Sequence, residues 1–450
     1  MENFIKNDIP SVKSLKYRQY LAAFIVAILS ISNGFSAAWT SPVQKLLQSE
    51  NSPVGVKVSY EEFSWISSVL YIGALLGIFI WSKCADKFGR KVNGYLISST
   101  QIIGWIGIIF ATSPNHLIIS RFIMGLGGCG IISNSQLYIN ETADKDIKGP
   151  LCALILVFTN VGIVLVNVLG CFLSYVSLNI CCLCFPVLFV VMYFWLPETP
   201  LYLSMRNRPT KAKKSMNWFG LEEVNGRYEE STEESYKDLF SSSQMRRITF
   251  VGMGIMICQQ LSGYGAIIAY SQKIFESTKS DISNEVLSII LSIFQLVVSS
   301  ISGFVIKSSR RKPMMIFCFV SASLSYLLIY SKSHLPVGSF FSSYVPVFGI
   351  LCFIIVYNLG IGPLPLVVIP EIFPPRVLNR GTSLALVMLV FGAFVVLKAF
   401  PIIQYVFGES ESFFILSCLN LSFAAFIWQF LWETKPSDKK VEVEDTASVN

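Results

Sequence analysis

The sequence predicts an all-α membrane protein with twelve transmembrane helices in two six-helix halves. Three observations lead to this prediction. Apolar runs of about 20 residues recur along the whole chain, 53% of its 450 residues are hydrophobic while only 14% are charged, and a set of motifs occurs twice in the same order. About 20 apolar residues cross a hydrocarbon core about 30 Å thick. Ordinary soluble domains carry roughly 25% charged residues, so that class is excluded.

The apolar runs define the predicted spans, and the polar segments between them define the predicted domains. The spans are 20–39, 63–82, 92–112, 117–138, 151–173, 178–196, 248–270, 286–306, 313–330, 344–369, 382–403 and 413–432. The one long polar insertion, rich in Lys, Arg and Glu, reads as a linker with short helices. The predicted divisions are a tail at 1–19, a first half at 20–196, the linker at 197–247, a second half at 248–432 and a tail at 433–450.

The distribution of basic residues predicts that both termini lie in the cytosol. The chain has 35 Lys and Arg against 28 Asp and Glu, a formal net charge of +7. With the termini inside, the outer loops hold only Lys45, Lys57, Lys273, Lys279 and Lys332. An excess of Lys and Arg in cytoplasmic segments is the positive-inside pattern. The basic charge therefore indicates orientation in a membrane, and nucleic acid is not expected as a partner.

Histidine and cysteine usage argues against an enzyme or a metal protein. The only histidines, His116 and His334, fall in short outer loops, so they cannot form a Ser-His-Asp or Cys-His nucleophilic system. The eleven cysteines lie almost all in apolar runs without metal-ligand spacing, as small apolar side chains would. We expect no catalytic residues, no metal and no cofactor.

Three motifs recur in the two halves. The basic segment 85–91 after the second span matches 307–313 after the eighth, and Glu141 with Lys148 after the fourth span matches Glu371 with Arg380 after the tenth. Pro-Glu-Thr-Pro at 197–200 after the sixth span matches Glu-Thr-Lys-Pro at 433–436 after the twelfth. Repeated halves around a substrate site near the bilayer midplane are the architecture of secondary transporters.

Seven motifs in combination make the chain resemble the sugar porters of the major facilitator superfamily. They lie at 34–42 (GFSAAWTSP), 86–91 (DKFGRK), 121–127 (RFIMGLG), 197–200 (PETP), 259–263 (QQLSG), 362–365 (GPLP) and 371–374 (EIFP). The resemblance covers nearly the whole chain and is nearest to the insect facilitated trehalose transporters and the facilitative hexose carriers. It implies a sugar as substrate and the lipid bilayer as surroundings.

Charged residues at the predicted cytosolic ends of the spans match the inner salt-bridge network of that family. The resemblance implies that a cytosolic gate is formed by Asp86, Arg90, Lys91, Glu141, Lys148, Glu198, Arg311, Lys312, Glu371, Arg380 and Glu433. Surface ion pairs of about 0 to 1 kcal/mol suit a gate that must open. The second half has Lys307 and Arg310 where the family usually has Asp and Gly, so we expect its pairing to be weaker or different.

The seventh span carries the predicted centre of the substrate site. Gln259 and Gln260 match the family's paired amides, and an amide at bilayer depth needs a helix partner or a ligand. The other predicted substrate-binding residues are Gln295, Tyr264, Tyr270, Gly265 and Asn358. For the tyrosines and Asn358, helix packing is the open alternative. Glycines 263 and 265 are expected to allow a bend, and Gly362, Pro363 and Pro365 to interrupt the tenth span as a gating helix.

Several groups that the family uses for sugar recognition are absent, at Gly265, Leu156, Leu366 and Ala393. Each loss removes about 1 kcal/mol or more of polar contact. Other polar side chains within the spans either compensate or bond between helices, namely Asn33, Asn134, Gln136, Asn160, Asn167 and Asn358.

Acidic residues are missing from the interior of every predicted span, although proton relays in membranes commonly use them. Proton-coupled sugar porters carry an Asp in the first span, where this chain has Ser36. The two cations within spans, Arg121 and Lys398, are expected to have structural roles, Arg121 by snorkelling or by helix packing.

The sequence therefore predicts a facilitative transporter that moves trehalose or a hexose by alternating access without proton coupling, as a monomer in the cell membrane. Two alternatives stay open. One is a membrane sensor that binds sugar with little transport, and the other is a carrier of another small solute such as a polyol.

Overall fold

A computed structural model describes residues 12–221, 236–276, 282–332 and 340–434, which form helices and turns with no strand among them. In chain order the helices are α1 (Val12–Ala38), α2 (Thr40–Leu47), α3 (Tyr60–Phe88), α4 (Arg90–Ile109), α5 (Pro114–Thr142), α6 (Lys145–Phe172), α7 (Tyr175–Tyr193), α8 (Pro200–Met205), α9 (Pro209–Phe219), α10 (Ser243–Leu261), α11 (Tyr264–Ala269), α12 (Ser271–Glu276), α13 (Asn284–Ser308), α14 (Arg311–Ser331), α15 (Phe340–Val356), α16 (Pro363–Ile372), α17 (Leu378–Phe407) and α18 (Glu409–Phe430). Two 3-10 turns lie at Tyr236–Phe240 and Pro375–Val377, and a π-helical turn lies at Tyr357–Ile361.

Twelve helical segments of the described chain are long and apolar enough to cross a membrane, which confirms the twelve predicted spans. Serine side chains cap the starts of α3, α5, α7 and α10. At the start of α3, Ser59 Oγ accepts a hydrogen bond from the Glu62 N–H, and the Glu62 carboxylate accepts one from the Ser59 N–H. This capping box extends the second span three residues beyond its predicted start.

Short helices lie in three of the polar segments. The predicted outer loop after the first span contains α2, the one after the seventh span contains α12, and the linker contains α8, α9 and the 3-10 turn Tyr236–Phe240. The linker residues 222–235, the first eleven residues and the tail from 435 lie outside the described residues.

Helices α3 and α5 cross at very short range through glycines. A Cβ on Gly125 of α5 would lie 1.9 Å from the Leu70 carbonyl oxygen, and a Cβ on Gly73 of α3 would lie 2.2 Å from the Phe122 carbonyl oxygen. Helices in lipid associate through such close packing, since burial from water does not drive it.

Linker helix α9 is anchored to the first half by aromatic packing. Phe219, at its end, is fully buried and lies edge-on to Tyr138, with the ring centroids 6.3 Å apart. The amide of Gln19 on α1 donates to the Phe219 carbonyl over 2.9 Å. This contact holds the basic face of α9 beside the ends of α3 and α4.

The chain divides into two compact units that do not coincide with the predicted halves. The first unit contains the described residues of Met1–Thr232 together with Gly265–Leu296 and Ala393–Pro401. The second contains those of Glu233–Tyr264, Val297–Gly392 and Ile402–Asn450. Segments of the second six-helix half therefore pack with the first.

Candidate functional site

The seventh span is broken directly after its paired amides. Helix α10 ends at Leu261, and Gly263 has a φ of 101°, a conformation that residues with a side chain rarely adopt. The break frees backbone carbonyls that need donors inside a membrane. The carbonyl of Ser262 receives them from Tyr326 Oη at 2.8 Å and Asn420 Nδ2 at 3.2 Å. The predicted bend is confirmed at Gly263.

The two adjacent amides have different surroundings. Gln259 is 5% exposed, and its Nε2 donates to the Gly362 carbonyl over 2.7 Å, while its Oε1 accepts no hydrogen bond within the described chain. Gln260 is half-buried beside Gly392, and its amide makes no hydrogen bond to any described residue. The pair thus presents a fixed acceptor and a second amide that is free to bond.

The tenth span is interrupted opposite this break. The π-helical turn Tyr357–Ile361 precedes Gly362 and Pro363, so the predicted interruption at Gly362, Pro363 and Pro365 begins one turn earlier than those residues. Tyr357 stacks on Tyr264 with parallel rings whose centroids lie 3.9 Å apart. Asn358, which is buried, donates to the Ile354 carbonyl within its own helix. The second unit therefore brings together Gln259, Gln260, Tyr264 and Asn358 around two helix breaks.

The remaining predicted site residues lie in the first unit. Gln295 Nε2 donates to Asn160 Oδ1 over 2.8 Å, and both side chains are buried. Tyr270 is 2% exposed and packs against Phe63 and Phe400, and its hydroxyl donates to the Leu397 carbonyl. Tyr270 is thus held by ring packing and by a hydrogen bond to a neighbouring helix.

Gly265 also belongs to the first unit, where Leu397 and Val396 line the space beside it. A Cβ on Gly265 would lie 3.3 Å from a Leu397 methyl carbon. Apolar side chains therefore border Gly265, the position at which the family has an amide. Of the other positions without the family's polar group, Ala393 is buried, whereas Leu156 and Leu366 are about half exposed.

Sequence analysis did not predict Tyr357, Tyr326 or Asn420 as site residues. Each lies within a span, and each acts on a helix break through a stack or a hydrogen bond. The signal that could have found Tyr326 and Asn420 is the break itself, because a broken helix needs donors for its freed carbonyls.

Polar contacts join the start of α2 to the segment after the seventh-span break. Ser41 Oγ and Ser271 Oγ lie 2.7 Å apart, and Thr40 Oγ1 donates to the Ala269 carbonyl over 3.1 Å. On neighbouring helices, Ser64 Oγ donates to the Lys398 carbonyl, and the Lys398 ammonium lies 4.1 Å from the centre of the Trp65 ring. These contacts give Lys398 a structural role.

Arg121 is a packing residue and does not snorkel. Its side chain is 1% exposed, with Nη1 donating to the Ser36 carbonyl over 2.6 Å and Nε to the Ile66 carbonyl over 3.2 Å. Its guanidinium also lies over the Trp39 ring. Within the described chain, no carboxylate approaches it within ion-pair distance.

The charged motif of the first half forms a compact network at the junction of α3 and α4. Arg90 Nη2 lies 2.8 Å from Glu141 Oε1, and Arg90 Nη1 donates to the Ala85 carbonyl. The backbone N–H of Arg90 donates to the Glu198 carboxylate, and Thr199 Oγ1 donates to Glu141 Oε2. Burial raises the pKa of the Glu198 carboxyl above its usual value.

The second half repeats these contacts one for one. Arg311 Nη2 lies 3.2 Å from Glu371 Oε1, and Arg311 Nη1 donates to the Ile306 carbonyl. The backbone N–H of Arg311 donates to the Glu433 carboxylate over 2.9 Å, and Thr434 Oγ1 donates to Glu371 Oε2. Arg310, where the family has Gly, adds an interaction with Glu433 at 3.8 Å.

The burial of the two networks differs, and this corrects the sequence analysis. Only 5% of the Arg90 side chain and 4% of the Glu141 side chain are exposed, because the Tyr202 ring of α8 lies against the guanidinium. Treating this as a surface pair was wrong. Arg311 and Glu371 are 12% and 27% exposed. The second network has the same pairing as the first and differs from it in burial, whereas the sequence analysis expected weaker or different pairing.

The other predicted gate residues make fewer contacts with the two networks. Asp86 is exposed and lies 3.9 Å from Arg90, while Lys91 Nζ donates to the carbonyls of Phe194 and Leu196. The Arg380 guanidinium lies over the Tyr236 ring. Within the described residues, ion pairs are not formed by Lys148, Lys312 or Arg380.

Comparison with solved structures gives the class of the fold. The xylose transporter XylE from E. coli, in a partially occluded inward open conformation, matches with a TM-score of 0.78 over 94% of this chain and 99% of that chain, at 17% identity. The fold is that of the major facilitator superfamily.

Comparison with protein families gives the membership. The family described as "Sugar (and other) transporter" matches residues 22–440, so the chain belongs to that family and is a sugar transporter, not an enzyme. Among its relatives is the facilitated trehalose transporter Tret1 of Apis mellifera ligustica, 26% identical over 89% of this chain and 82% of the relative. The protein of that name from Anopheles gambiae is 27% identical over 93% of this chain, which spans about half of its length (55%).

Proposed function

We propose that this transporter carries trehalose or a hexose down its gradient, by alternating access and without proton coupling. The observation that carries the proposal is the amide pair at the seventh-span break. Gln259 is buried and held at its Nε2 by the Gly362 carbonyl, so its free Oε1 is oriented to accept from a sugar hydroxyl. A site that fixes an acceptor beforehand loses little entropy when it binds. The relatives named facilitated trehalose transporters support the choice of substrate.

The surroundings of Arg121 support transport without protons. The neighbouring structures include a D-xylose-proton symporter, but likeness at 17% identity carries only the fold. In this chain the buried guanidinium bonds to the carbonyls of Ser36 and Ile66, and all acids of the twelve spans lie in a first or last turn. Without a carboxylate inside a span, a proton has no acidic carrier across the hydrocarbon core.

The charged networks are the proposed gate, and they lie on the cytosolic side if the positive-inside pattern sets the orientation. We place the protein in the cell membrane as a monomeric unit. Each network consists of an arginine, two glutamates and a threonine that bond to one another. Because the two networks share no residue, each can be tested by substitutions that leave the other intact.

The experiment is uptake of radiolabelled sugars into proteoliposomes containing the purified protein. A panel of trehalose, glucose, xylose and sorbitol separates a sugar carrier from a polyol carrier. We expect saturable trehalose or hexose flux and counterflow, unchanged when a protonophore removes the proton gradient. Accumulation that collapses with the gradient would contradict uniport.

A sugar sensor is the second candidate, favoured by the apolar surroundings of Gly265. A sensor would bind at least one sugar of the panel saturably and would show no counterflow of any of them. The same protein preparation decides this, because binding by scintillation proximity and flux are measured in parallel.

Gln260→Ala is the sharpest test of the site, since Gln260 makes no hydrogen bond that holds the fold. Loss of one or two hydrogen bonds to substrate should raise KM about 5- to 10-fold. Asn33→Ala is the matched control, because Asn33 is also a half-buried amide without a hydrogen bond in the described chain. Equal effects of the two substitutions would refute the assignment.

A further inference from the structure

A cavity of about 630 Å3 lies beside the charged network of the first half, at the ends of the second and third spans. Its walls are the last turn of α3, the first turn of α4 and the linker helices α8 and α9. Five cations line it, Lys87, Lys91, Arg208, Lys211 and Lys214, against one acid, Glu198. The substrate residues take no part in it.

The single acid does not balance these cations. The Glu198 carboxylate accepts hydrogen bonds from the backbone N–H groups of Arg90, Lys91 and Thr199, which occupy both of its oxygens. Lys91 in turn donates to two carbonyls. The other four cations form no ion pair with a carboxylate in the described part of the chain. Like charges gathered around a concave surface attract a polyvalent anion.

Apolar side chains next to the cavity indicate which kind of molecule bears the anionic group. Phe88 and Val92, which line it, are each 44% exposed. Phe194 and Trp195, just after α7, are 71% and 68% exposed, and the Lys91 ammonium lies over the Phe194 ring. Exposed aromatic residues at the end of a span are typical of the membrane interface. The anionic head of a ligand in the cavity would thus have lipid-facing apolar residues beside it.

We propose that this cavity binds the phosphorylated headgroup of an anionic phospholipid from the adjoining leaflet. Arg208, Lys211 and Lys214 hold the phosphates, since clusters of basic residues beside a span recognise such headgroups. Trp218 and Tyr202 form the apolar wall behind them. The acyl chains lie along Val92 and Phe194. The bound lipid ties the linker helices to the ends of α3 and α4.

The test is lipid binding by the full-length protein in nanodiscs, measured by native mass spectrometry. The probe is phosphatidylinositol bisphosphate at a few per cent in phosphatidylcholine, with inositol bisphosphate and ATP as soluble competitors. Lys211→Ala/Lys214→Ala should weaken lipid binding about 25-fold, at about 5-fold for each lysine near an anionic surface.

A second double variant, Lys145→Ala/Lys213→Ala, removes the same charge from exposed positions outside the cavity. It should retain lipid binding within about 2-fold. Equal loss in the two double variants, or no preference for the phosphorylated lipid over phosphatidylcholine, would overturn the proposal. Displacement of the lipid by inositol bisphosphate or ATP at equal concentration would also overturn it, because the site would then select a soluble phosphate.

Discussion

Arg90 and Arg311 make the same contacts in the two halves but differ in exposure. Their partners Glu141 and Glu371 are 4% and 27% exposed. Removing one partner of a buried pair leaves a charge without water or counter-ion, which costs about 3 to 5 kcal/mol. Water reaches the Glu371 carboxylate, so the same removal there is less harmful.

Arg90→Ala is therefore expected to lower the thermal unfolding temperature in detergent more than Arg311→Ala. Lys83→Ala, at an exposed position near the first network, should leave the temperature unchanged. Scanning fluorimetry of the three variants measures the order. An effect of Arg311→Ala as large as that of Arg90→Ala would contradict the role of burial.

Glu198 predicts a pH dependence of stability. Its raised pKa means that the folded protein holds the proton more tightly than the unfolded chain does. Stability from this group is thus greatest below the unfolded pKa of about 4.3 and is lost as pH rises through the folded pKa. As pH rises from about 4 to about 7, the unfolding temperature of the wild type should fall relative to that of Glu198→Gln. The opposite trend would show a lowered pKa.

At the scale of single helices, the close crossing of α3 and α5 predicts opposite effects of one substitution at two sites. Gly125→Ala puts a Cβ 1.9 Å from the Leu70 carbonyl oxygen, so the helices must separate, at a cost of about 1 to 3 kcal/mol. Gly303→Ala on α13 meets nothing within 4 Å and should stabilise by about 0.5 to 1 kcal/mol, because alanine favours a helix. Unfolding temperatures measure both.

The helices were predictable from sequence to the extent that hydrophobicity defines them. All twelve spans were found, and the bend at Gly263 followed from glycine. The extension of α3 to Tyr60 depends on a capping box outside the apolar run. The π-helical turn before Gly362 has no pattern of its own in the sequence, since it depends on packing around Tyr357.

The candidate site was predictable only in part. Motifs indicated Gln259 and Gln260, because amides are conspicuous in an apolar span. They could not separate Tyr264, which stacks at the break, from Tyr270, whose hydroxyl bonds to Leu397. Both are tyrosines in the same span, and the difference arises from neighbours more than 90 residues away. The burial of Arg90 likewise depends on Tyr202, which the sequence places in the linker.

At the scale of the whole molecule, the Ser41 and Ser271 contact predicts a crosslink that stops transport. The two oxygens lie 2.7 Å apart, on segments of the first and second six-helix halves. In alternating access this contact must part once in each cycle. Ser41→Cys/Ser271→Cys, in a background without the native cysteines, should lose flux on oxidation and regain it on reduction. Each single variant should be insensitive, and undiminished flux after complete crosslinking would contradict the prediction.

The paired networks of Arg90 and Arg311 have a consequence for the history of the chain. In each, the arginine bonds to a glutamate and to the carbonyl five residues before it, its N–H bonds to a second glutamate, and a threonine next to that glutamate bonds to the first. Each copy joins the helix ends of one half to the segment that follows that half. Two copies with the same contacts indicate that the duplicated six-helix unit carried the network.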